Sequence, residues 1–280
     1  MTSEIKKLNI ARVQSPSSIN TYKQCPRKYY YCYIEKLPGR PSIHLTRGKI
    51  VHSVLENFFK VDISKLSEDN ALFVMKVFIN DMMEQQWRKQ NKELNNLGLT
   101  TPQLEFYHIE TKDMVNNWYG NFTKKMAIEM KEYPLPDSFK RLTPKTEIEY
   151  KSAKYGVRGF IDAIHEKDGE IVLMDYKTSK APKMSKEYRL QLGLYALMYH
   201  ETHEKMPNKV GIDFLKFGEQ LLDVDEELIN NAKFEAELIH MNTATTKKED
   251  FPLKQGPLCK YSTGQCDFYD KCFGKHCHDC

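Results

Sequence analysis

The sequence predicts a mixed α/β (α+β) domain. A central mixed β-sheet is flanked by helices, with a helical insertion and a C-terminal cysteine cluster. Three observations predict it. Apolar residues recur at helical spacing through the first half of the chain and switch to period two near residue 147, and these are the repeats of the two regular structures. Three strand-length runs then precede a helix-length pattern and one further apolar run, a β-β-β-α-β order. Five of the seven cysteines, Cys259, Cys266, Cys272, Cys277 and Cys280, crowd into the last 22 residues. Residues 1–280 read as a single domain, with N-terminal helices over 15–60, the insertion over 61–135, the core over 143–245 and the cysteine segment over 252–280.

Residues 1–14 are polar and are expected to fray or to cap an edge. Ser15-Pro16-Ser17 opens a helix with serine as N-cap. It runs through Tyr22 and Cys25 to the Tyr29-Tyr30-Tyr31 group, and Pro26 predicts a kink or break near Cys25. Leu37-Pro38-Gly39-Arg40-Pro41 ends that unit. A helix from about Thr46 to Phe59 puts His52 and Glu56 on one face, four residues apart. Further helices are predicted over Asn70 to Lys92 and Thr101 to Glu132, burying Leu72, Met75, Val77 and Phe78. Both tryptophans, Trp87 and Trp118, fall here and read as core rings, a base-stacking platform being the alternative. Pro134-Leu135-Pro136 breaks the helices. Strands follow at Glu147 to Tyr150, Val157 to Ile164 and Glu170 to Tyr176, joined by turns at Lys154-Tyr155-Gly156 and Lys167-Asp168-Gly169. Connections this short make the three antiparallel. A helix from Ser185 to about Glu201, a strand from Lys209 to Phe217 and a helix from about Asp223 to Met241 complete the order.

Composition narrows the class. Hydrophobic residues make up 40% of the chain and charged ones 29%, a globular balance. No apolar run approaches the ~20 residues that span a bilayer. Met1 to Arg12 has charges and no apolar core of a signal peptide, so the cytoplasm is the expected location and no membrane partner is expected. Net charge of +4 permits nucleic acid as a partner. Lys177, Lys180, Lys183, Lys186 and Arg189 recur every third residue. Alone they are a solvated loop; beside a metal site they read as a phosphate track. An odd cysteine count without a secretion signal favours metal over disulfides.

The chemistry centres on Ile171 to Lys177. Residues two apart on a strand share a face, so Asp175 and Lys177 project together from the end of an apolar run. A bare D-x-K is better explained by a surface ion pair at a strand end, a judgement that the flanking pieces reverse. Asp162, ending the run Gly159-Phe160-Ile161, brings a second carboxylate on a neighbouring strand. Two carboxylates suit a hard cation such as Mg²⁺, which activates water and offsets phosphate charge, and a lysine beside it can orient the attacking water. Gln191 and Tyr195 lie four apart on a helical pattern and share a face. Cys259-x6-Cys266-x5-Cys272 with distant Cys25 supplies four thiolates, which suit zinc or an iron–sulfur cluster. Cys32 reads as a free core thiol. His276, Cys277, His278 and Cys280 read as a tail, with a second metal as the alternative.

These pieces together resemble the PD-(D/E)XK nuclease superfamily, and within it the RecB-like iron–sulfur exonucleases of CRISPR-associated or AddB nuclease-domain type. The resemblance covers Ser15 to Cys272. Arg47 to Glu56 resembles the first motif, with His52 as metal ligand. Gly159 to Asp162 resembles G-x-x-D, Asp175-Tyr176-Lys177 resembles D/E-x-K, and Gln191 to Tyr195 resembles Q-x-x-x-Y. The resemblance implies a restriction-endonuclease-like core. It implies Mg²⁺ or Mn²⁺ held by His52, Asp162, Asp175 and the Tyr176 carbonyl, with Lys177 orienting water. Gln191 and Tyr195 would position Lys177 or the phosphates, and Glu56 would stand behind the ligands. Cys25-Pro26-Arg27-Lys28-Tyr29-Tyr30 resembles the first cluster-ligand segment, which implies a [4Fe–4S] cluster on Cys25, Cys259, Cys266 and Cys272, with Zn²⁺ as the alternative. The first C-terminal gap is longer than usual there. The implied activity is a DNA exonuclease on single strands or ends, in repair, recombination or CRISPR adaptation. A structure-specific endonuclease and a non-catalytic, cluster-stabilised DNA-binding module are the rivals. No G-x-x-x-x-G-K-[ST] stretch is present, so a helicase would be a separate partner, as would CRISPR adaptation proteins.

Overall fold

The computed structural model describes residues 10–261 and 264–274. Helix α1 (Pro16–Gln24) starts at Ser15, whose hydroxyl accepts from the Ser18 amide in a reciprocal capping box. The predicted break falls where Pro26 dictates it. Cys25 is extended (φ −159°, ψ 112°), as the residue before a proline prefers, and separates α1 from α2 (Pro26–Tyr29). The chain then widens into a π-helical turn over Tyr30–Ile34.

Helices α3 (Ile43–Phe58), α4 (Ala71–Lys89), α5 (Asn91–Asn95), α6 (Thr101–Glu129) and α7 (Leu135–Leu142) follow; α4 to α6 fall within the stretch 61–135 read as an insertion, α3 precedes it and α7 runs past it. Phe58, fully buried, meets the edges of Trp118 and Phe122, so Trp118 is a core ring as read. The seam of α4 is Ala71, Met75, Ile79 and Met83, spaced by four. Val77 and Phe78, expected inside, lie 43% and 38% exposed. The segment between residues 134 and 136 starts a helix instead of only ending one, because proline is tolerated in a first turn.

Strands β1 (Lys145–Ser152), β2 (Val157–Lys167), β3 (Glu170–Lys177), β4 (Lys209–Phe214) and β5 (Gly218–Asp223) form one sheet in the order 1-2-3-4-5. The first three are antiparallel, as the short turns predict. Asp168 and Gly169 both take positive φ (50° and 86°), the pair that a tight right-twisting hairpin requires. β3 and β4 are parallel and β4–β5 antiparallel, which makes the sheet mixed. The strand predicted over Lys209 to Phe217 ends at Phe214, and after a turn over 215–217 the chain folds back from Gly218 (φ 116°) as β5, a strand the sequence reading does not include. Helix α8 (Lys186–His203) carries the chain from β3 to β4 and is buried on most of its circumference between the sheet and α9 (Glu226–Asn242). Gly193 permits that approach: a Cβ there would stand 3.0 Å from the Leu228 carbonyl oxygen of α9. The last elements are a hairpin of β6 (Lys260–Tyr261) with β7 (Gly264–Gln265), and α10 (Tyr269–Phe273).

The sheet separates two cores. Leu173 and Ile212 pack toward α8, whereas Met174 and Tyr176 pack toward the insertion. Among the latter lies Asp213, 2% exposed, its Oδ1 without a hydrogen-bond partner. Burial, then the facing Glu219, pushes its pKa up to about 7, against the pull of Lys125. Between the unfolded value near 4 and 7, the folded chain keeps a proton that the unfolded chain has lost. Stability therefore falls as pH rises through that window, by up to roughly 4 kcal/mol for three pKa units. Asp213→Asn should remove the loss. Its melting temperature relative to wild type should climb between pH 4 and pH 7, and a pH-independent difference would refute the assignment.

Candidate active site

The C-terminal halves of β2 and β3, the middle of α3 and the first turns of α8 converge on one polar pocket. Gly159 makes room for it: a Cβ there would lie 3.1 Å from Met198 and 3.3 Å from the Tyr195 ring. β2 can therefore lie close against α8 at the strand that carries Asp162. That carboxylate, 8% exposed, accepts the Tyr176 amide at 2.7 Å, which ties β2 to β3 beside the ladder. His52 reaches in from α3. Its Nε2 is 3.0 Å from the Tyr176 carbonyl oxygen and its Nδ1 faces Asp162 Oδ2 at 3.5 Å.

Asp175 and Lys177 share a face of β3, as their spacing requires, with Lys177 Nζ 2.5 Å from Asp175 Oδ2. Asp175 Oδ1 accepts from Gln191 Nε2 at 2.6 Å and from the Tyr195 hydroxyl at 3.3 Å. Gln191 also donates to the Tyr195 oxygen at 2.7 Å. The glutamine and tyrosine thus hold Asp175 rather than Lys177. Oδ2 is buried and faces the ammonium without an aligned hydrogen bond, an oxygen that a cation could share with Lys177.

The electrostatics follow from burial among like charges. Burial and neighbouring Asp162 raise the Asp175 carboxyl, with Lys177 opposing. Burial works against the Lys177 charge, yet Asp175 outweighs it and holds the ammonium above its usual range. Burial also opposes charge on His52, but Asp162, then Glu147 and Asp175, push its pKa up to about 10. Tyr195 is raised well above the ordinary phenol by burial and by Asp175, so it stays a neutral donor.

The structure brings together all six predicted side chains and adds Glu147. Its carboxylate, with His52 and Asp162, offers ligand atoms that lie within 4.8 Å of one another. Glu147 sits on β1 with positive φ (52°), directly across from Asp162 at the one position where the β1–β2 pairing lapses. Such strain in a non-glycine residue is typical of functional sites. Glu147 was legible only through register: counting back from the Lys154–Gly156 turn pairs it with Asp162. Glu56, in contrast, is drawn away to Lys60 at 2.6 Å. Three carboxylates and a histidine form an oxygen-rich donor set suited to a divalent cation.

Cys25, Cys259, Cys266 and Cys272 line a single cleft. The β6–β7 hairpin sets Cys259 and Cys266 side by side, the Cys266 amide donating to the Cys259 carbonyl at 2.9 Å. Burial, then Cys25 and Cys266, raises the Cys272 thiol and so disfavours its thiolate, a cost that a cation bound among the sulfurs would offset. Cys32 packs at the margin of the adjoining aromatic cluster, half-buried, with its thiol raised by burial. Cys277 and Cys280, with His276 and His278, lie outside the described residues.

A family model described as the PD-(D/E)XK nuclease superfamily matches residues 14–273. The "Gene 69 protein" of Mycobacterium phage D29 is 26% identical over 226 residues, covering 72% of this chain and 74% of that protein. Its namesake in Mycobacterium phage L5 is 23% identical over 241 residues, covering 72% and 76%. A solved structure from Eubacterium rectale, which carries the label "Putative exonuclease", is 12% identical with a TM-score of 0.49, covering 92% of this chain and 91% of that one. No helix among the described residues is long and apolar enough to cross a membrane.

Proposed function

This chain belongs to the PD-(D/E)XK nuclease superfamily, and from that premise we propose that it is a Mg²⁺- or Mn²⁺-dependent DNA exonuclease acting on single strands or ends. The observation that carries the proposal is the convergence of His52, Glu147, Asp162 and Asp175 beside a lysine that is still 24% exposed. Buried carboxylates alone would be a structural liability; with an accessible ammonium next to them they are a hydrolytic site.

His52, Glu147, Asp162, Asp175 and the Tyr176 carbonyl would hold the cation, which supplies charge for the phosphate and an acidified water. Lys177, kept cationic by Asp175, orients that water and meets negative charge as the phosphorus becomes five-coordinate. Gln191 and Tyr195 fix the Asp175 carboxylate. Cys25, Cys259, Cys266 and Cys272 would hold a [4Fe–4S] cluster, or alternatively Zn²⁺, in a structural role. A separate helicase or CRISPR adaptation proteins would be the partners.

End-labelled single and double strands incubated with Mg²⁺, Mn²⁺ or Ca²⁺ test the reading. Mg²⁺ and Mn²⁺ should release short products from single strands or ends. Ca²⁺ should support binding without turnover, since its larger, more flexible shell positions water poorly. Full activity in excess EDTA would refute the metal dependence, and nicking of closed circular DNA would favour the endonuclease reading.

A further inference from the structure

The cleft whose lining includes the four thiols also opens onto Lys177 and Gln191; it measures about 870 Å³ in all, a space that a metal on the thiols would share with any other occupant. One wall is a face of α1 and α2, where Ser17, Asn20, Thr21, Gln24 and Lys28 recur at helical spacing. Asn20 ties this wall to α8 by donating to the Glu187 carbonyl at 3.0 Å. The opposite wall is the start of α8, with Lys186, Tyr188 and Gln191, and the segment after residue 252 brings Lys254. Five lysines line the cleft against one carboxylate, Glu187. Lys23 is spent on Glu235 and Lys177 on Asp175. Lys28 meets only neutral Gln24 (3.3 Å) and Lys254 only the Lys23 carbonyl (3.1 Å). Lys186 has no ion-pair partner among the described residues, so three ammonium groups are left for an anion.

We propose that this cleft carries the single-stranded DNA adjoining the scissile phosphate, with Lys28, Lys186 and Lys254 on successive phosphates and Tyr188 as a stacking surface. The proposal rests on the nuclease reading of the site it adjoins. The polymer is a single strand because the cleft is walled on three sides and is no larger than a small-ligand cavity, ~300–1,000 Å³. From Ser17 to Gln24 helix α1 supplies on the order of 10 Å of that wall at ~1.5 Å per residue, and α2 carries it past the break at Cys25 to Lys28, a length suited to a few nucleotides. Neutral hydroxyls and amides between lysines grip a backbone without reading bases, and an aromatic ring accepts any base. Of the predicted lysine run, Lys177 and Lys186 line this track, whereas Lys180 and Lys183 do not.

The test is a triple variant, Lys28→Ala/Lys186→Ala/Lys254→Ala, beside the matching triple arginine variant. With Ca²⁺ present, affinity for a labelled single strand should fall at least about tenfold at low salt. The slope of log K against log salt should drop by about 2, at ~0.7 per phosphate contact for three contacts. Arginine should restore both. Affinity for blunt duplex, and Mn²⁺-dependent cleavage of bis(p-nitrophenyl) phosphate, which occupies the scissile position alone, should match wild type. An unchanged salt slope overturns the proposal. So does an equal loss for duplex, or a loss of small-diester cleavage, which would put the lysines elsewhere than on the flanking strand. If wild type hydrolyses neither DNA nor the diester, the nuclease reading fails while the salt slope still decides the cleft.

Discussion

A Lys177→Ala protein is expected to bind DNA with near-wild-type affinity and to cleave it at least about 10²–10³-fold more slowly, the cost of losing one charge-stabilising group aimed at a transition state. Lys177 helps mainly once charge has built on the phosphate, so its removal should show in kcat rather than in binding. Asp175→Ala should be as damaging to cleavage for a different reason, since it removes negative charge from the cation site. It also leaves Lys177 without its partner, and Gln191 and Tyr195 without their acceptor. Asp175→Asn keeps an acceptor for both and is the better probe of charge alone. Single-turnover cleavage and anisotropy binding, run together, check the pair. Near-wild-type rates for either Lys177→Ala or Asp175→Asn would displace the site from this end of β3.

The second large effect concerns the cysteines. Cys25→Ala should lose solubility and bound metal together, whereas Cys32→Ala should change neither. A cluster on Cys25, Cys259, Cys266 and Cys272 would close a loop of most of the chain. By the chain-entropy formula for cross-links that is roughly 5 kcal/mol, comparable with the whole stability of many domains. Protein purified without oxygen should be brown, with about four irons per chain for [4Fe–4S]. A colourless protein with one tightly held zinc would keep the cross-link and reject the iron. A folded Cys25→Ala protein with full metal content would reject the cross-link itself.

Much of the site was legible because it depends on short-range spacing. Asp175 and Lys177 share a face by strand period, Gln191 and Tyr195 by helical period, and the break at Cys25 follows from the following proline. Glu147 was not, because its role depends on pairing with β2 and on a backbone conformation that no propensity favours for glutamate. The target of Gln191 needed the distance between α8 and β3. In α4 the run Leu72-Phe73-Val74-Met75 is apolar on every side, so the sequence alone does not say which stripe faces Phe58. β5 was hidden because Leu215 and Phe217 prolong the apolar run past Phe214, although they break its even-numbered spacing of Val210, Ile212 and Phe214 just before Gly218 folds the chain back.

The clasp between the chain's early and late segments bears on synthesis. Tyr29 stacks on Phe251 with rings 10° from parallel, Arg27 donates to the Phe251 carbonyl at 2.8 Å, and Gln14 reaches Thr243 at 3.4 Å. A growing chain makes the tyrosines first and their partner more than two hundred residues later. At roughly 5–20 residues per second, that apolar group stays uncovered on the ribosome for ten seconds or more. A shorter delay applies to the proposed cleft, whose last wall follows β3 by about 75 residues, roughly four seconds or more at that rate, so the proposed metal ligands would be made before the proposed track is complete.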